Sequence, residues 1–329
     1  MFDRYGPANV LQLTEVRTPV PRAHEVRIRI HAATVSAEDP KLRAFEHPPL
    51  LRVPVGLLFG FRRPRIPILG MELAGVVDAV GSGVTRFQVG EPVFGYTGIW
   101  QGDHAEYRCL PETALLVRKP SQVSFTQAAA LANGGLTALV YLRRMGRLRP
   151  GERVLIYGAS GSVGTAAVQL ARYLGAQVTA VCSTPNVELV RSLGADQVID
   201  YLGEDCLRTS AQYDVVFDTV TKLSWTAVRR ILAPRGRYLV TQFSLVDLLR
   251  MAWTSFHDGP RIIGGASNLY WTIELLEELA RLVQRGDFRP VIDRTYALVD
   301  AAEAHRYVES GHKRGNVVLL TSNDGQHDS

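Results

Sequence analysis

The segment from Arg153 to Thr184 constrains the fold more than any other part of the chain. An apolar run at 154–157 leads into a glycine turn, then a helical pattern from Thr165 to Leu174 and a second apolar run at 177–181. Strand, turn, helix and strand in this order predict a βαβ mononucleotide-binding unit. The turn itself consists of Gly158, Ala159, Ser160, Gly161, Ser162, Val163 and Gly164.

The three glycines of this turn have separate predicted roles. Gly158 allows a tight turn, Gly161 allows the backbone to approach a pyrophosphate, and Gly164 allows the helix to pack closely on the strand. The N-terminus of the following helix then faces the phosphates. A glycine turn without a ligand is the alternative, but the strand and helix on either side favour a dinucleotide site.

Length and composition limit the classes of protein to which the chain can belong. With 329 residues it has room for two domains, and 37 Lys and Arg against 32 Asp and Glu give a formal charge of +5. This charge forms no basic block, which suits an anionic cofactor and does not indicate nucleic-acid binding. The chain has no signal-peptide pattern and no apolar run long enough for a membrane span, so we expect a cytoplasmic protein.

The order of predicted elements indicates two kinds of domain. Residues 10–119 alternate between strands and turns, which is typical of a mostly β domain. From Arg153 onward, strands and helices alternate and predict a doubly wound parallel sheet. The further predicted elements are a helical run from Ser124 to Arg144 interrupted at Gly134-Gly135, helices Val187–Leu193, Lys222–Leu232, Thr272–Arg285 and Asp300–Ser310, and strands Gln197–Ile199, Asp214–Phe217, Arg237–Val240 and Val317–Leu320.

The segment from Pro48 to Pro67 is apolar and basic and contains several prolines and glycines. These residues predict that no long helix forms there. Two interpretations stay open at this point. The segment either packs against its own domain or a partner subunit, or forms a lid over a substrate cleft, as irregular insertions of this length often do.

An ordered series of motifs resembles the zinc-independent quinone oxidoreductase (zeta-crystallin-like) branch of the medium-chain dehydrogenase/reductase superfamily. The series comprises Gly70–Gly75, Gly90–Gly95, Ala105–Tyr107, Ala128–Ala130, Leu136–Ala138, the turn at 158–164, Gly194–Asp196 and Arg314–Val318. The resemblance implies an α/β fold in which a Rossmann domain, 122–287, is inserted into a GroES-like, mostly β domain, 1–121 plus 288–329. It places the active site in the cleft between them and implies a homodimer.

Two departures from zinc-dependent relatives predict that no metal is bound. Met71 stands where those relatives have a histidine ligand, and a thioether is a poor ligand for Zn²⁺. No cysteine occurs around residues 33–36, where those relatives have a catalytic one. Without a metal, hydride transfer is easiest to an acceptor that delocalises charge, so we expect a small hydrophobic carbonyl, enone or quinone as substrate.

The resemblance also implies the residues that surround the acceptor. Ser36 stands at a position that is often asparagine in quinone reductases, Lys41 at one that is often tyrosine, and Thr137 at one beside the nicotinamide. Ser36 and Lys41 each keep a hydrogen-bond donor near the acceptor oxygen. Asp39 matches a family aspartate, which we expect to anchor the loop through backbone hydrogen bonds rather than take part in the chemistry.

The end of the second strand of the βαβ unit favours NADPH over NADH. It has the sequence Cys182-Ser183-Thr184, without the acid that binds the ribose hydroxyls in NAD-preferring domains. By resemblance, Ser183 and Tyr201 match positions that contact the 2′-phosphate. NADH remains possible, because the basic residue common in relatives is missing after Thr184. In the C-terminal motif, Asn316 replaces a common lysine.

Three functions are compatible with these features. The first is an NADPH-dependent reductase of quinones or of conjugated enones and enals. The second is a metal-free NAD(P)-dependent alcohol dehydrogenase or a biosynthetic tailoring reductase, because the same cleft could serve either. The third is a regulatory or structural protein that binds the cofactor without turnover.

Overall fold

The structure, a computed structural model, describes residues 1–46 and 49–321. These residues form two compact units. The first consists of Met1–Ala132, Thr272–Gln284 and the part of the chain from Pro290 onward; the second consists of Asn133–Trp271 and Arg285–Arg289. The sequence-based boundaries assign 122–132 and 272–284 to the Rossmann domain, whereas the structure groups them with the first unit.

The first part of the chain builds most of an antiparallel sheet. Its elements are β1 (Glu25–Val35), α1 (Glu38–Ala44), α2 (Pro49–Phe59), β2 (Glu72–Val80), β3 (Pro92–Tyr96), β4 (Tyr107–Pro111), β5 (Leu115–Arg118) and α3 (Phe125–Ala129). Alternate residues of β1, including Val26, Ile28 and Ile30, are buried in the core of this unit. The predicted capping box is present, because Ser124 and Gln127 exchange hydrogen bonds at the start of α3.

The second unit is a parallel sheet with helical connections. Its elements are α4 (Ala132–Leu139), a π-helical turn (Val140–Met145), β6 (Arg153–Tyr157), α5 (Ser162–Tyr173), β7 (Gln177–Cys182), α6 (Val187–Ser192), β8 (Gln197–Asp200), β9 (Tyr213–Asp218), α7 (Trp225–Val228), β10 (Leu232–Val240), α8 (Leu245–Ser255) and β11 (Arg261–Gly264). The strands are ordered β11-β10-β9-β6-β7-β8 and pair in parallel. The predicted doubly wound sheet is therefore confirmed.

The end of the chain returns to the first unit and completes its sheet. The remaining elements are α9 (Ile273–Arg285), β12 (Ile292–Ala297), α10 (Ala301–Glu309) and β13 (Asn316–Leu320). In the described part of the chain, this sheet has the order β12-β13-β1-β2-β3-β5, with β4 also paired to β1. Strand β13 pairs antiparallel with β1 and thereby joins the two ends of the sequence.

Several local predictions were wrong. The helical run after Ser124 breaks after Ala129 rather than at Gly134-Gly135, which lie within α4. A Cβ on Gly134 would lie 2.6 Å from Ser162 Oγ, so glycine allows α4 to pack closely on the start of α5. Of the predicted helix Lys222–Leu232, only Trp225–Val228 (α7) is helical, and Leu232 is the first residue of β10. Helix α8 and strand β11 were not predicted.

The segment after Pro48, a residue outside the described ones, also differs from its prediction. Residues Pro49–Phe59 form an eleven-residue helix, α2, with Pro54 inside it. No described helix is long and apolar enough to cross a bilayer.

Candidate functional site

The glycine turn has the geometry that the sequence predicts for each glycine. Gly158 has φ +77°, a conformation that L side chains rarely adopt, and the N–H groups of Gly158 and Ala159 both donate to the carbonyl oxygen of Val181. A Cβ on Gly164 would lie 2.1 Å from the carbonyl oxygen of Gly158, so the helix packs against the turn at van der Waals contact. On Gly161, a Cβ would find its nearest neighbour, Gly158 O, at 3.6 Å.

The open space at Gly161 lies at the N-terminus of α5, where Gly161 is the N-cap residue. The first N–H groups of a helix have no intrahelical partners, and the helix dipole makes this end positive. A pyrophosphate placed here would meet backbone N–H groups without a side chain in the way. The turn therefore fits the phosphates of a dinucleotide.

The end of β7 carries a linked set of polar side chains. The amide nitrogen of Asn186 donates to Ser183 Oγ at 3.0 Å and to Ser160 Oγ at 3.2 Å, and so ties the glycine turn to the strand end. Beside them, the N–H of Tyr201 donates to the carbonyl oxygen of Cys182, and its ring is half exposed. The structure thus brings together Ser160, Ser183 and their neighbours on one edge of the sheet.

Sequence reasoning missed an acid at this edge. Thr184 Oγ1 donates to Asp200 Oδ2 at 2.5 Å, and the N–H of Leu202 donates to Asp200 Oδ1 at 3.0 Å. These hydrogen bonds, the one from Thr184 first, lower the pKa of Asp200. The sequence argument considered only an acid at the end of β7. Strand β8 runs parallel to β7 and pairs Asp200 with Cys182, so this acid reaches the same edge from the neighbouring strand. The alternation of strands and helices already predicts parallel strands whose ends meet at one edge, and this pattern could have revealed Asp200.

In the first unit, Asp39 organises the loop that carries Ser36. Asp39 is fully buried; its Oδ2 accepts from the N–H and the Oγ–H of Ser36, both at 2.7 Å, and its Oδ1 accepts from the N–H of Gly70 at 3.0 Å. The expected anchoring role of Asp39 is confirmed. The Ser36 hydroxyl uses its single proton in the hydrogen bond to Asp39, so its predicted role as donor to the acceptor oxygen stays a prediction that requires this hydrogen bond to break.

Lys41 and Thr137, the other predicted catalytic residues, and Asn316, a predicted cofactor-binding residue, lie in different places. Lys41 belongs to α1, and its ammonium forms an exposed ion pair with Glu38 at 2.9 Å. Asn316, which opens β13, is buried and its amide donates to the carbonyl oxygen of Val291 at 3.0 Å. Thr137 is buried in α4, in the second unit. Ser36, Lys41 and Asn316 thus belong to one unit and Thr137 to the other.

The side chains around Met71 do not fit a zinc ion. Met71 Sδ accepts a hydrogen bond from the Tyr96 hydroxyl at 3.8 Å, and the neighbouring Glu72 accepts one from Thr34 Oγ1. A thioether is a poor zinc ligand, and the neighbouring carboxylate of Glu72 already accepts a hydrogen bond from Thr34. Among the described residues, no group of three or more His, Cys, Asp or Glu could hold a metal.

Lys313 is a second residue that sequence reasoning missed. Its Nζ donates to the carbonyl oxygen of Gly315 at 2.6 Å, and burial lowers its pKa to about 8, with Glu72 and Asp293 opposing that shift. In the sequence it stands in a His-Lys-Arg run, which is typical of a solvated surface. Only the packing of the loop before β13 shows that this ammonium is desolvated.

A buried acid in the loop after β3 also escaped prediction. Asp103 is fully buried and accepts from Thr97 Oγ1 at 2.7 Å through Oδ2, while Oδ1 has no partner in the described part of the chain. Burial raises its pKa to about 7, although Thr97 and Arg108 act in the opposite direction. The folded state therefore holds a proton that the unfolded chain releases.

This pKa predicts a pH-dependent stability. Between the unfolded value of 3.8 and the folded value of about 7, the folded state binds more protons, so the free energy of unfolding falls as the pH rises through this window. We expect the wild type to lose on the order of 2 kcal/mol across it, and Asp103→Asn to lose much less. Urea unfolding at both ends of the window measures the difference. The exposed Asp258→Asn serves as the control; an equally steep loss in Asp103→Asn would contradict the assignment.

The comparisons with known proteins cover nearly the whole chain. Residues 22–121 match the family described as alcohol dehydrogenase GroES-like domain, and residues 193–319 match the family described as zinc-binding dehydrogenase. The NAD(P)H oxidoreductase RTN4IP1, mitochondrial, from Mus musculus is 35% identical over 97% of this chain and 88% of its own. The quinone oxidoreductase of Pseudomonas aeruginosa is 33% identical over 97% of this chain and 98% of its own.

A solved structure agrees with these sequences. The Escherichia coli quinone oxidoreductase complexed with NADPH superimposes with a TM-score of 0.80 and 26% identity, over 97% of this chain and 98% of that one. This chain itself combines the GroES-like domain match with the parallel sheet described above. The chain belongs to the medium-chain dehydrogenase/reductase superfamily, among its quinone oxidoreductases, and is an NAD(P)H-dependent oxidoreductase.

Proposed function

We propose that the chain is an NADPH-dependent reductase that transfers hydride, without zinc, to quinones or to conjugated enones and enals. The glycine turn carries this proposal, because its open space at Gly161 and its helix N-terminus suit a pyrophosphate. The quinone oxidoreductase relatives support the class of acceptor. The side chains around Met71, which do not fit zinc, support a metal-free reaction.

Each predicted cofactor residue has a place in this proposal. Residues 158–164 would hold the pyrophosphate, Ser183, Thr184 and Tyr201 the adenosine end, and Thr137 and Asn316 the nicotinamide end. The nicotinamide, when bound, supplies the hydride. The chain positions the acceptor, excludes water and donates hydrogen bonds to the oxygen on which negative charge develops.

The two candidate donors to the acceptor oxygen, Ser36 and Lys41, differ in the number of N–H or O–H groups that remain for it. The Ser36 hydroxyl already donates to Asp39, so Ser36 would hold the loop rather than the acceptor. Lys41 is the stronger candidate of the two, because an ammonium has three donors and the ion pair with Glu38 does not exhaust them. A quinone suits such a weakly assisted transfer, since it delocalises the arriving charge.

Two opposing features bear on the choice between NADPH and NADH. Strand β7 ends in hydroxyls rather than an acid, and hydroxyls can donate to a 2′-phosphate. Against this, Asp200 lies beside Thr184, although Thr184 and Leu202 already occupy both of its oxygens. We propose a preference for NADPH, with NADH also used.

Ser183→Asp is expected to move this preference toward NADH. A carboxylate at Ser183 repels a 2′-phosphate and accepts from a 2′-hydroxyl, so the ratio of kcat/KM for NADPH over NADH should fall about tenfold or more. Steady-state kinetics with both cofactors measure it. Ser192→Asp adds the same charge at an exposed position of α6 and is the control. If the ratio does not move, Ser183 is not at the 2′ position.

A substrate panel tests the proposed reaction. NADPH oxidation is followed with a naphthoquinone, cyclohexenone, hexenal and propanal, before and after treatment with a zinc chelator. The proposal expects turnover of the conjugated acceptors that the chelator leaves unchanged. Turnover of propanal alone would favour the alcohol dehydrogenase or tailoring reductase. Tight NADPH binding without any turnover would favour the regulatory protein, and loss of activity that added zinc restores would overturn the metal-free reaction.

A homodimer is part of the proposal. Strand β11 pairs with β10 at one end of the parallel sheet, and no other described strand pairs with it. Helix α8, which packs on β11, exposes Trp253 and Phe256 by 67% and 86%. An edge strand beside exposed aromatic side chains suits a second subunit. Sedimentation velocity gives the mass that tests it. The cytoplasmic location stays a prediction.

A further inference from the structure

Helix α2 and the turn after it expose a continuous apolar face. Val53, Leu57 and Phe61 are exposed by 59%, 62% and 53%, and Leu58 lies beside them with 45%. Val53 and Leu57 are four residues apart and Leu58 follows Leu57, which places the three side chains on one side of the helix. Phe59, on the opposite side, is buried.

Several contacts hold this face outward. The Tyr5 hydroxyl lies 2.9 Å and 2.7 Å from the carbonyl oxygens of Phe59 and Gly60, at the end of α2. The N–H of Arg65 donates to the carbonyl oxygen of Phe59 at 2.8 Å, and its guanidinium donates to Leu57 O at 2.5 Å. A Cβ on Gly56 would lie 2.3 Å from the Phe61 ring, so this ring is packed back onto the helix. The apolar face is thus a fixed surface of the unit.

The charged side chains within this segment of the sequence have one sign. Arg52, Arg62, Arg63 and Arg65 are all exposed, and the sequence has no acidic residue between Glu46 and Glu72. The exposed apolar face of α8 differs, because Asp247 and Asp258 lie on or near it. Apolar side chains flanked only by arginines are typical of helices that lie in the interface of a bilayer with anionic lipids.

We propose that α2 and the turn 60–65 dock this protein on an anionic lipid surface, with Val53, Leu57, Leu58 and Phe61 entering the interface and the arginines binding lipid phosphates. The choice of lipid over a second copy follows from the charge, since a self-paired contact would bring two sets of arginines together. The inference deepens the proposed function, because lipophilic quinones partition into bilayers and docking brings the enzyme to them.

Vesicle flotation of the full chain, without cofactor or acceptor, tests the docking. We expect binding to vesicles of phosphatidylcholine mixed with phosphatidylglycerol, weaker binding to phosphatidylcholine alone, and release by salt. Arg62→Ser/Arg63→Ser should weaken binding to the anionic vesicles about tenfold or more, given the attraction of each basic residue to such a surface. Leu57→Ser/Leu58→Ser should weaken it on both vesicles.

Matched variants distinguish the loss of this particular surface from a general loss of positive charge or of exposed apolar side chains. Arg229→Ser/Arg230→Ser removes two adjacent exposed arginines elsewhere, and Val89→Ser/Val299→Ser removes two valines that are as exposed as Leu57. Both should bind like the wild type. Absence of flotation, equal losses in these controls, or a Leu57→Ser/Leu58→Ser variant that instead loses self-association would each overturn the proposal. The flotation experiment measures no turnover, so its outcome does not depend on whether the protein reduces quinones.

Discussion

Gly161→Val is expected to abolish most NADPH affinity while leaving the fold intact. The new side chain enters the open space over the turn, where the nearest atom to its Cβ is Gly158 O at 3.6 Å, so nothing in the protein has to move. The same side chain would fill the space proposed for the pyrophosphate and block its approach to the backbone. We expect the Kd for NADPH to rise about 100-fold or more, the equivalent of losing ~3 kcal/mol.

Fluorescence titration of NADPH and thermal unfolding of the same preparation measure the two halves of this prediction. The backbone of Gly161 is extended, with φ −78° and ψ 177°, so valine is sterically allowed there. Valine is a poor N-cap, and a stability loss of about 1 kcal/mol is expected from that alone. An unchanged Kd in the folded variant would contradict the role of the turn in cofactor binding.

Gly164→Val is expected to damage the fold itself. A Cβ at this position lies 2.1 Å from the carbonyl oxygen of Gly158 and 2.8 Å from the backbone of Ala159, and backbone atoms of a tight turn have little room to move. The start of α5 must therefore separate from the turn and lose buried contacts. We expect a loss of roughly 3 kcal/mol or more in the free energy of unfolding, measured by urea denaturation.

The two substitutions control each other, because they place the same side chain three positions apart in one turn. Gly161→Val should bind NADPH poorly at near-normal stability, whereas Gly164→Val should lose stability whether or not NADPH is present. A Gly164→Val variant as stable as the wild type would show that the turn and helix do not pack as tightly as described. The contrast separates space needed by the ligand from space needed by the fold.

How much could be predicted from sequence differs from one part of the molecule to another. The βαβ unit, the glycine roles and the capping box at Ser124 were predictable because each depends on residues a few positions apart, whose backbone conformations are intrinsic. Helix α2 was not, since Pro54 and Gly56 in its interior argue locally against a helix. Two residues outside the helix support its last turn instead: Tyr5, which is far away in the sequence, and Arg65, which follows the helix.

The candidate site shows the same division. Residue identities alone indicated a dinucleotide turn, the loss of a zinc ligand at Met71 and the hydroxyls at the end of β7. They could not show that the Ser36 hydroxyl donates its hydrogen bond to Asp39, because a serine and an aspartate three residues apart form this contact only when the loop folds back. They also could not place Asp200 beside Thr184, which depends on the pairing of β7 with β8.

The sequence by itself thus determined the superfamily, the doubly wound sheet and the cofactor turn, since these depend on local backbone geometry and on the order of motifs along the chain. Only the tertiary structure decided which polar groups are already occupied, which charges are desolvated, as at Asp103 and Lys313, and which apolar side chains of α2 stay exposed. Burial and partner choice arise from contacts between residues far apart in the chain, and no local pattern encodes them.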